Sequence, residues 1–131
     1  MRTLLILSII CSLAAYAEDF QRQIWMKGSD YYVFTYHAST NMLISENCFN
    51  PKVTLEQSKC DAAKIFKEKK TYKIPAGAAK GGKNPGAVIC KDVLKKQIRI
   101  LKNHKDDENS FCVFDDGSMV SAIGLETILK E

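Results

Sequence analysis

A glycine-rich segment in the middle of the chain has the spacing of a phosphate-binding loop. Gly77, Gly82 and Lys83 match the pattern G-x-x-x-x-G-K, in which backbone N–H groups surround a phosphate that the lysine also reaches. However, Asn84 stands where such a loop needs Ser or Thr to hold magnesium, and Pro85 removes the next backbone N–H. The preceding residues, TYKIPAG, are charged and interrupted by proline, unlike a buried strand. We therefore expect no nucleotide to bind here.

Two histidines, His37 and His104, are the candidates for general-base chemistry. Neither is accompanied by the G-x-S-x-G signature of a serine nucleophile. His104 falls in the charged run NHKDDENS, where an exposed turn is expected. The acid pairs at 106–107 and 115–116 also fall in predicted turns, whereas paired catalytic carboxylates need a sheltered site that raises one pKa. The sequence predicts a protein without catalytic activity, with a small hydrolase using His37 or His104 as the alternative.

The N-terminus has the pattern of a secretory signal peptide. Arg2 precedes an apolar run that ends at Ala14, and small residues then lead to an acidic segment after Ala17. The run is shorter than the roughly 20 apolar residues of a membrane-spanning helix. We expect cleavage near Ala17, a mature domain over residues 18–131, and a location in the bacterial periplasm or the medium.

Four cysteines remain after the predicted cleavage. An even number in an exported chain indicates two disulfides, for which three pairings are possible. Metal binding is the alternative, but the sequence contains no C-x-x-C pair and its two histidines are far apart. We expect no metal and no cofactor. The four cysteines are Cys48, Cys60, Cys90 and Cys112.

The C-terminal part, residues 84–131, is predicted to form a helix followed by a three-stranded antiparallel meander. Asn84 is a favourable N-cap and Pro85 is favoured at the first helical position, so a helix is expected to run to about Leu94. The segments QIRILK, FCVF and MVSAI have the composition of strands. They are separated by the polar run NHKDDENS and the tight turn DDGS.

The N-terminal part, residues 18–70, is predicted to form a hairpin and a helix. The strand-like segments DYYVFTYH and NMLISENCF flank AST. Thr54 and Gln57 are spaced as a capping box at the start of a helix over residues 55–69. Residues 71–83 form a connector. The predicted fold class is α+β, a small disulfide-stapled domain with two helices packed on antiparallel strands.

The segment NPGAVICKDVL…SFCVFDDGSMV resembles the bacterial domain of unknown function 333 family, often labelled as haemolysins. That family has an Asn-Pro helix start, a cysteine on the helix and a second cysteine in a strand before an Asp-Gly turn. The chain departs from it where LKKQ replaces paired glycines and where SAIGLETILKE replaces a tail that carries tryptophan. The matching residues, within about 81–120, are Asn84, Pro85, Cys90, Cys112, Asp116, Gly117 and Ser118.

The resemblance implies a disulfide between Cys90 and Cys112, which would tie the short helix to the middle strand. Cys48 and Cys60 are then left as the second pair. The family carries no established chemistry that could be transferred to this chain.

The charge along the chain is uneven. Fourteen Lys and Arg against three acids give the span from Lys59 to Lys105 a local net charge of +11, whereas residues 106–131 have a net charge of −6. Such a dipole steers anionic partners, although a solvated surface explains the same pattern. The candidate anion-binding patch consists of Lys67, Lys69, Lys70 and Lys73.

Together these features predict an exported, non-catalytic binding or interaction module of the cell envelope or medium. An inhibitor and a toxin-like effector are its specific forms, and a structural envelope protein is a further alternative. The expected partner is a protein or an anionic envelope polymer, and the chain is expected to be a monomer.

Overall fold

The structure, a computed structural model, describes residues 21–49, 53–68 and 70–129. Within them, six strands form a closed antiparallel barrel in the order β1-β2-β3-β6-β5-β4. The predicted α+β fold with two helices packed on strands is therefore wrong, because the sheet closes on itself and the helices are short. The signal peptide predicted for residues 1–17 lies outside the described residues. The strands are β1 (Gln21–Lys27), β2 (Asp30–His37), β3 (Met42–Ser45), β4 (Gln97–Lys102), β5 (Glu108–Val113) and β6 (Met119–Ser121).

The barrel consists of two three-stranded meanders, β1-β2-β3 and β4-β5-β6. Ile44 of β3 pairs with Val120 of β6, and Met26 of β1 pairs with Lys102 of β4, which closes the barrel at two seams. If β1, β2 and β3 are exchanged with β4, β5 and β6, respectively, the order of the strands around the barrel stays the same. The N-terminal half thus contains a third strand that the predicted hairpin lacks.

The strand that the sequence did not predict is β1, with the sequence QRQIWMK. It pairs with β2 along its whole length, from Gln21 opposite Tyr36 to Lys27 opposite Asp30. Only Trp25 is buried, so the hydrophobic alternation that marks a strand is almost absent from its sequence. Pairing with β2, rather than its own composition, makes this segment a strand.

Aromatic side chains fill the interior of the barrel. The rings of Phe34 and Phe111 stack with their centroids 4.3 Å apart, and Trp25 meets Phe111 edge-on at 5.5 Å. Leu43, Leu101 and Met119 complete this cluster. A small barrel is wide enough only for its own side chains, so the interior serves as a core.

Short helices cover part of the outer surface of the barrel. They are α1 (Asp61–Lys67), α2 (Pro85–Val88), which continues as a π-helix over Ile89–Val93, and α3 (Ala122–Leu125). They enclose a second apolar cluster with the outward-facing side chains of β3, β5 and β6. A membrane-crossing helix would need far more apolar length than any helix in the described residues provides.

Helix boundaries differ from the prediction in two places. The helix expected over residues 55–69 covers only Asp61–Lys67, and the capping box of Thr54 and Gln57 closes an isolated turn instead. The segment MVSAI leaves the sheet after Ser121, whose hydroxyl accepts a hydrogen bond from the Gly124 N–H and begins α3. The helix predicted from Asn84 and Pro85 starts where expected.

Each disulfide connects a helix, or the residue just before one, to another segment of the protein. Cys90 in the π-helix is bonded to Cys112 in β5, and Cys48 is bonded to Cys60 immediately before α1. These are the two pairs that the sequence and the resemblance indicated. Two disulfides are compatible with an extracellular or periplasmic protein.

Candidate functional site

The residues that carry the Asn-Pro motif build the helix start. The side-chain oxygen of Asn84 accepts a hydrogen bond from the Ala87 N–H at 3.1 Å, and Pro85 occupies the first helical turn. Gly86 lies against α3 so closely that an added Cβ would stand 1.7 Å from the carbonyl oxygen of Ala122. These three residues therefore serve the packing of α2 on α3.

The Asp-Gly-Ser turn caps a helix that is distant in sequence. The Asp116 carboxylate accepts from the Asp61 N–H at 2.9 Å, and the Ser118 hydroxyl accepts from the Ala62 N–H at 3.0 Å. Ser118 also donates its N–H and hydroxyl to Asp116. Partial burial opposes the charged form of Asp116, but these hydrogen bonds outweigh it and lower the pKa of its carboxyl group. Asp116 and Ser118 are thus caps for α1.

The four lysines of the proposed anion-binding patch differ in their surroundings. Lys67 donates to the backbone carbonyls of Glu56 and Ser58, and Lys70 forms an ion pair with Glu68 at 3.2 Å. Lys73 is exposed, and Lys69 lies outside the described residues. The structure therefore gives one member of the patch a role in holding the chain before α1.

The two histidines lie in different environments. His104 is exposed in the turn between β4 and β5. His37, at the end of β2, is partly buried, its Nε2 is buried, and its ring lies 5.2 Å from that of Phe49. His37 also lines a pocket of about 750 Å³, and His104 does not. This pocket lies outside the barrel interior, because its lining contains none of the aromatic residues that fill the barrel.

Two turns contribute residues to the lining of this pocket, which we call the His37 pocket. The first is the 3₁₀ turn Ala38–Thr40, which Asn41 ends in the left-handed region with φ of 49° while its side chain accepts a hydrogen bond from Tyr36. Asparagine tolerates that conformation better than most residues. The second is the turn that begins at Thr54, closed by the reciprocal bonds between Thr54 and Gln57.

The lining of the His37 pocket separates into apolar and polar groups. Its apolar members are Met42, Phe49, Val53 and Leu55. Four hydroxyl groups share the wall with His37, and they belong to Thr35, Ser39, Thr40 and Thr54. An apolar cavity with a few polar groups is the usual form of a small-molecule site. Such a wall can hold an apolar body and hydrogen-bond one polar group.

Sequence reasoning identified His37 but not the pocket around it. The sequence places Ser39 and Thr40 in the hairpin turn, and residues 54–56 in the predicted helix or its cap. The pocket exists because the second segment is a turn that returns across the end of β2 and β3. Residues 39–42 and 53–56 come together only in the folded chain, and a window of neighbouring residues carries no signal for that contact.

A second surface feature is an exposed apolar strip on the outer face of β1, β2 and β4. We call this the outer strip, and it consists of Ile24, Met26, Tyr31 and Ile100. Met26 stands opposite Tyr31 in the sheet. Exposed apolar groups can adsorb apolar probes, so the outer strip must be separated from the His37 pocket in any binding experiment.

Among residues 21–49, 53–68 and 70–129, no group of three or more His, Cys, Asp or Glu side chains is placed to hold a metal ion. Comparison of the chain with protein-family models, with curated proteins and with solved structures gives no match.

Proposed function

We propose that this protein is an exported, non-catalytic binding module that holds a small apolar ligand in the His37 pocket. The observation that carries the proposal is the pocket itself, whose volume of about 750 Å³ falls within the range of roughly 300–1,000 Å³ typical of ligand sites. The two disulfides and the signal-peptide pattern support an extracellular or periplasmic location.

The resemblance to the domain of unknown function 333 family is part of this proposal. Most of its matching residues begin or cap α1 and α2 or form a disulfide. Because these residues stabilise the fold, ligand binding is expected at other parts of the surface. The residues that line the His37 pocket come before that motif in the sequence. Proteins that share the motif can therefore differ in the ligand that they bind.

Nile red, an uncharged dye that fluoresces in apolar surroundings, tests the proposal. We expect saturable binding to the oxidised protein and its loss in Thr40→Trp, because Thr40 is an exposed lining residue, and a bulky side chain there obstructs the pocket without disturbing the core. Thr71→Trp is the matched control, since Thr71 is an exposed threonine outside the pocket. It should bind the dye as the wild type does.

The outer strip provides the second control. The double variant Ile24→Ser/Ile100→Ser removes two of its exposed side chains and should leave dye binding unchanged. If binding instead survives Thr40→Trp and is lost in the strip variant, the His37 pocket is not the site and the proposal is wrong.

The hydrolase alternative makes a different prediction for His37. An ester panel should show no turnover above buffer for the purified protein if the pocket only binds. Turnover that is lost in His37→Ala but retained in His104→Ala would replace the binding function with hydrolysis.

A further inference from the structure

We infer that the ligand of the His37 pocket is an uncharged amphiphile, with an alkyl or aromatic body and a single hydroxyl or ester head. This inference rests on the proposed function and names its ligand class. The distribution of charge and hydrogen-bonding groups in the pocket wall carries it.

The first step concerns the body of the ligand. Met42 is buried, while Phe49, Val53 and Leu55 are half-buried, so all four present carbon to the cavity. Removing apolar surface from water contributes about 25 cal/mol per Å². A hydrocarbon chain or ring therefore gains most of its binding free energy on this wall.

The second step concerns the head of the ligand. Four residues with hydroxyl side chains, Thr35, Ser39, Thr40 and Thr54, line the same cavity, and a hydroxyl both donates and accepts hydrogen bonds. A hydroxyl or ester head on the ligand can use such groups without bringing a charge into the pocket. Burying an ionised head without an opposite charge would be costly.

The third step concerns charge. Among the described residues that line the pocket, Glu56 is the only carboxylate, and none is Lys or Arg. The nearby ammonium group of Lys67 donates to the backbone carbonyls of Glu56 and Ser58 and is not part of the lining. Among the described lining residues, a carboxylate head would thus meet Glu56 and no lysine or arginine, whereas an uncharged head avoids this repulsion.

Three ligands with the same chain separate these possibilities. We would measure binding of octan-1-ol, octanoate and octylammonium by calorimetry below their aggregation concentrations. The pH should be 8.0, above the ordinary imidazole value of about 6.5. Octan-1-ol should bind at least about fivefold more tightly than octanoate, since the repulsion of one like charge at close range, even in water, is worth about 1 kcal/mol. Octylammonium should fall between them because its charge is opposite to that of Glu56 but must still be desolvated.

The variant Glu56→Lys tests whether the charge of Glu56 causes this order of affinities. Glu56 is exposed, so the change should leave the fold intact, raise the affinity for octanoate about tenfold or more and leave that for octan-1-ol within about twofold. Glu126→Lys is the matched control, because Glu126 lies outside the pocket in the last 3₁₀ turn. It should change none of the three affinities.

The experiments distinguish failure of the inferred ligand class from failure of the proposed binding function. If Nile red binds in a way that Thr40→Trp abolishes, but octanoate binds as tightly as octan-1-ol, the ligand class is wrong and the binding function stands. If neither Nile red nor any of the three octyl ligands binds, both the proposed function and this inference are overturned.

Discussion

At the residue scale, Asp116 shows how a turn motif can stabilise a helix far away in the sequence. Its carboxylate accepts the Asp61 N–H at the start of α1, and Ser118 beside it accepts the next N–H. The residue at the N-cap position, Cys60, makes no side-chain cap bond and is committed to a disulfide. The first turn of α1 therefore depends on groups contributed by the loop before β6.

We predict that Asp116→Ala destabilises the protein by about 1–2 kcal/mol, the usual cost of losing an N-terminal cap. Asp115→Ala is the matched control, because Asp115 is exposed and forms only a surface ion pair with Lys96. Its effect should stay below about 1 kcal/mol. Urea unfolding with the disulfides intact measures both, and equal losses would contradict the capping role.

The contribution of Asp116 should also depend on pH. Because the pKa of its carboxyl group is lower in the folded protein, the unfolded chain takes up the proton first as the pH falls. The stabilisation is complete above the unfolded value of about 3.9 and is lost as the pH falls through the folded value. The difference in unfolding free energy between the wild type and Asp116→Ala should therefore shrink from pH 7 to pH 3. A difference that grows on acidification would show the opposite linkage.

Gly86→Ala tests the packing of α2 on α3, because its two effects on stability oppose each other. The higher helix propensity of alanine stabilises the protein, whereas the contact made by the added methyl group destabilises it. In an exposed helix, Gly→Ala stabilises by about 1 kcal/mol. Here the new methyl would stand 1.7 Å from the Ala122 carbonyl oxygen, so we predict that Gly86→Ala destabilises by about 1–3 kcal/mol through overpacking. Gly124→Ala, which would meet the flexible Met42 side chain at 2.6 Å, should cost less because that side chain can move. Stabilisation by Gly86→Ala would contradict the close approach of α2 and α3.

At the element scale, local signals in the sequence predicted the elements whose stabilising contacts are also local. Asn84 and Pro85 predict the start of α2, and the strand-like composition of β2, β3 and β4 predicts those strands. The capping box of Thr54 and Gln57 also forms, with the Thr54 N–H donating to the Gln57 side chain at 3.0 Å. It closes a single turn, because the chain then has to reach Cys60 before a helix capped from Asp116 can begin.

Two features of the fold were missed, namely strand β1 and the point at which β6 ends. The β1 sequence is largely polar, and its pairing with β2 supplies the order that its composition does not indicate. The end of β6 at Ser121 depends on a hydroxyl that accepts hydrogen bonds from both Leu43 and Gly124. The two seams that close the barrel, Ile44 with Val120 and Met26 with Lys102, join residues far apart in the sequence, so the barrel and the pocket beside it could not be predicted from local patterns.

At the scale of the whole molecule, folding brings parts of the basic and acidic spans together. Lys96 pairs with Asp115 at 2.6 Å, and Lys102 pairs with Glu108 at 3.4 Å. These contacts reduce the separation of charge that the sequence suggests. Basic side chains outside such pairs, including Lys73, leave weak binding of polyanions as the expectation for this surface.

We predict weak, salt-sensitive retention on heparin that is abolished when Lys69, Lys70 and Lys73 are reversed to glutamate. Lys67 is left unchanged because it holds backbone carbonyls before α1. Reversal of Lys27, Lys102 and Lys105 is the matched control for net charge, since these exposed lysines lie elsewhere on the barrel. If both triple variants lose retention equally, net charge rather than the patch governs binding.

The central claim is that the His37 pocket, rather than the barrel interior or the outer strip, is the recognition site. Backbone amide shifts on titration with octan-1-ol test it most directly, because they locate the ligand on the structure. We expect saturable shifts concentrated at Ser39, Thr40 and Leu55, with Ile24 and Ile100 unaffected. Shifts concentrated on Ile24 and Ile100, or no saturable shifts at all, would contradict the account.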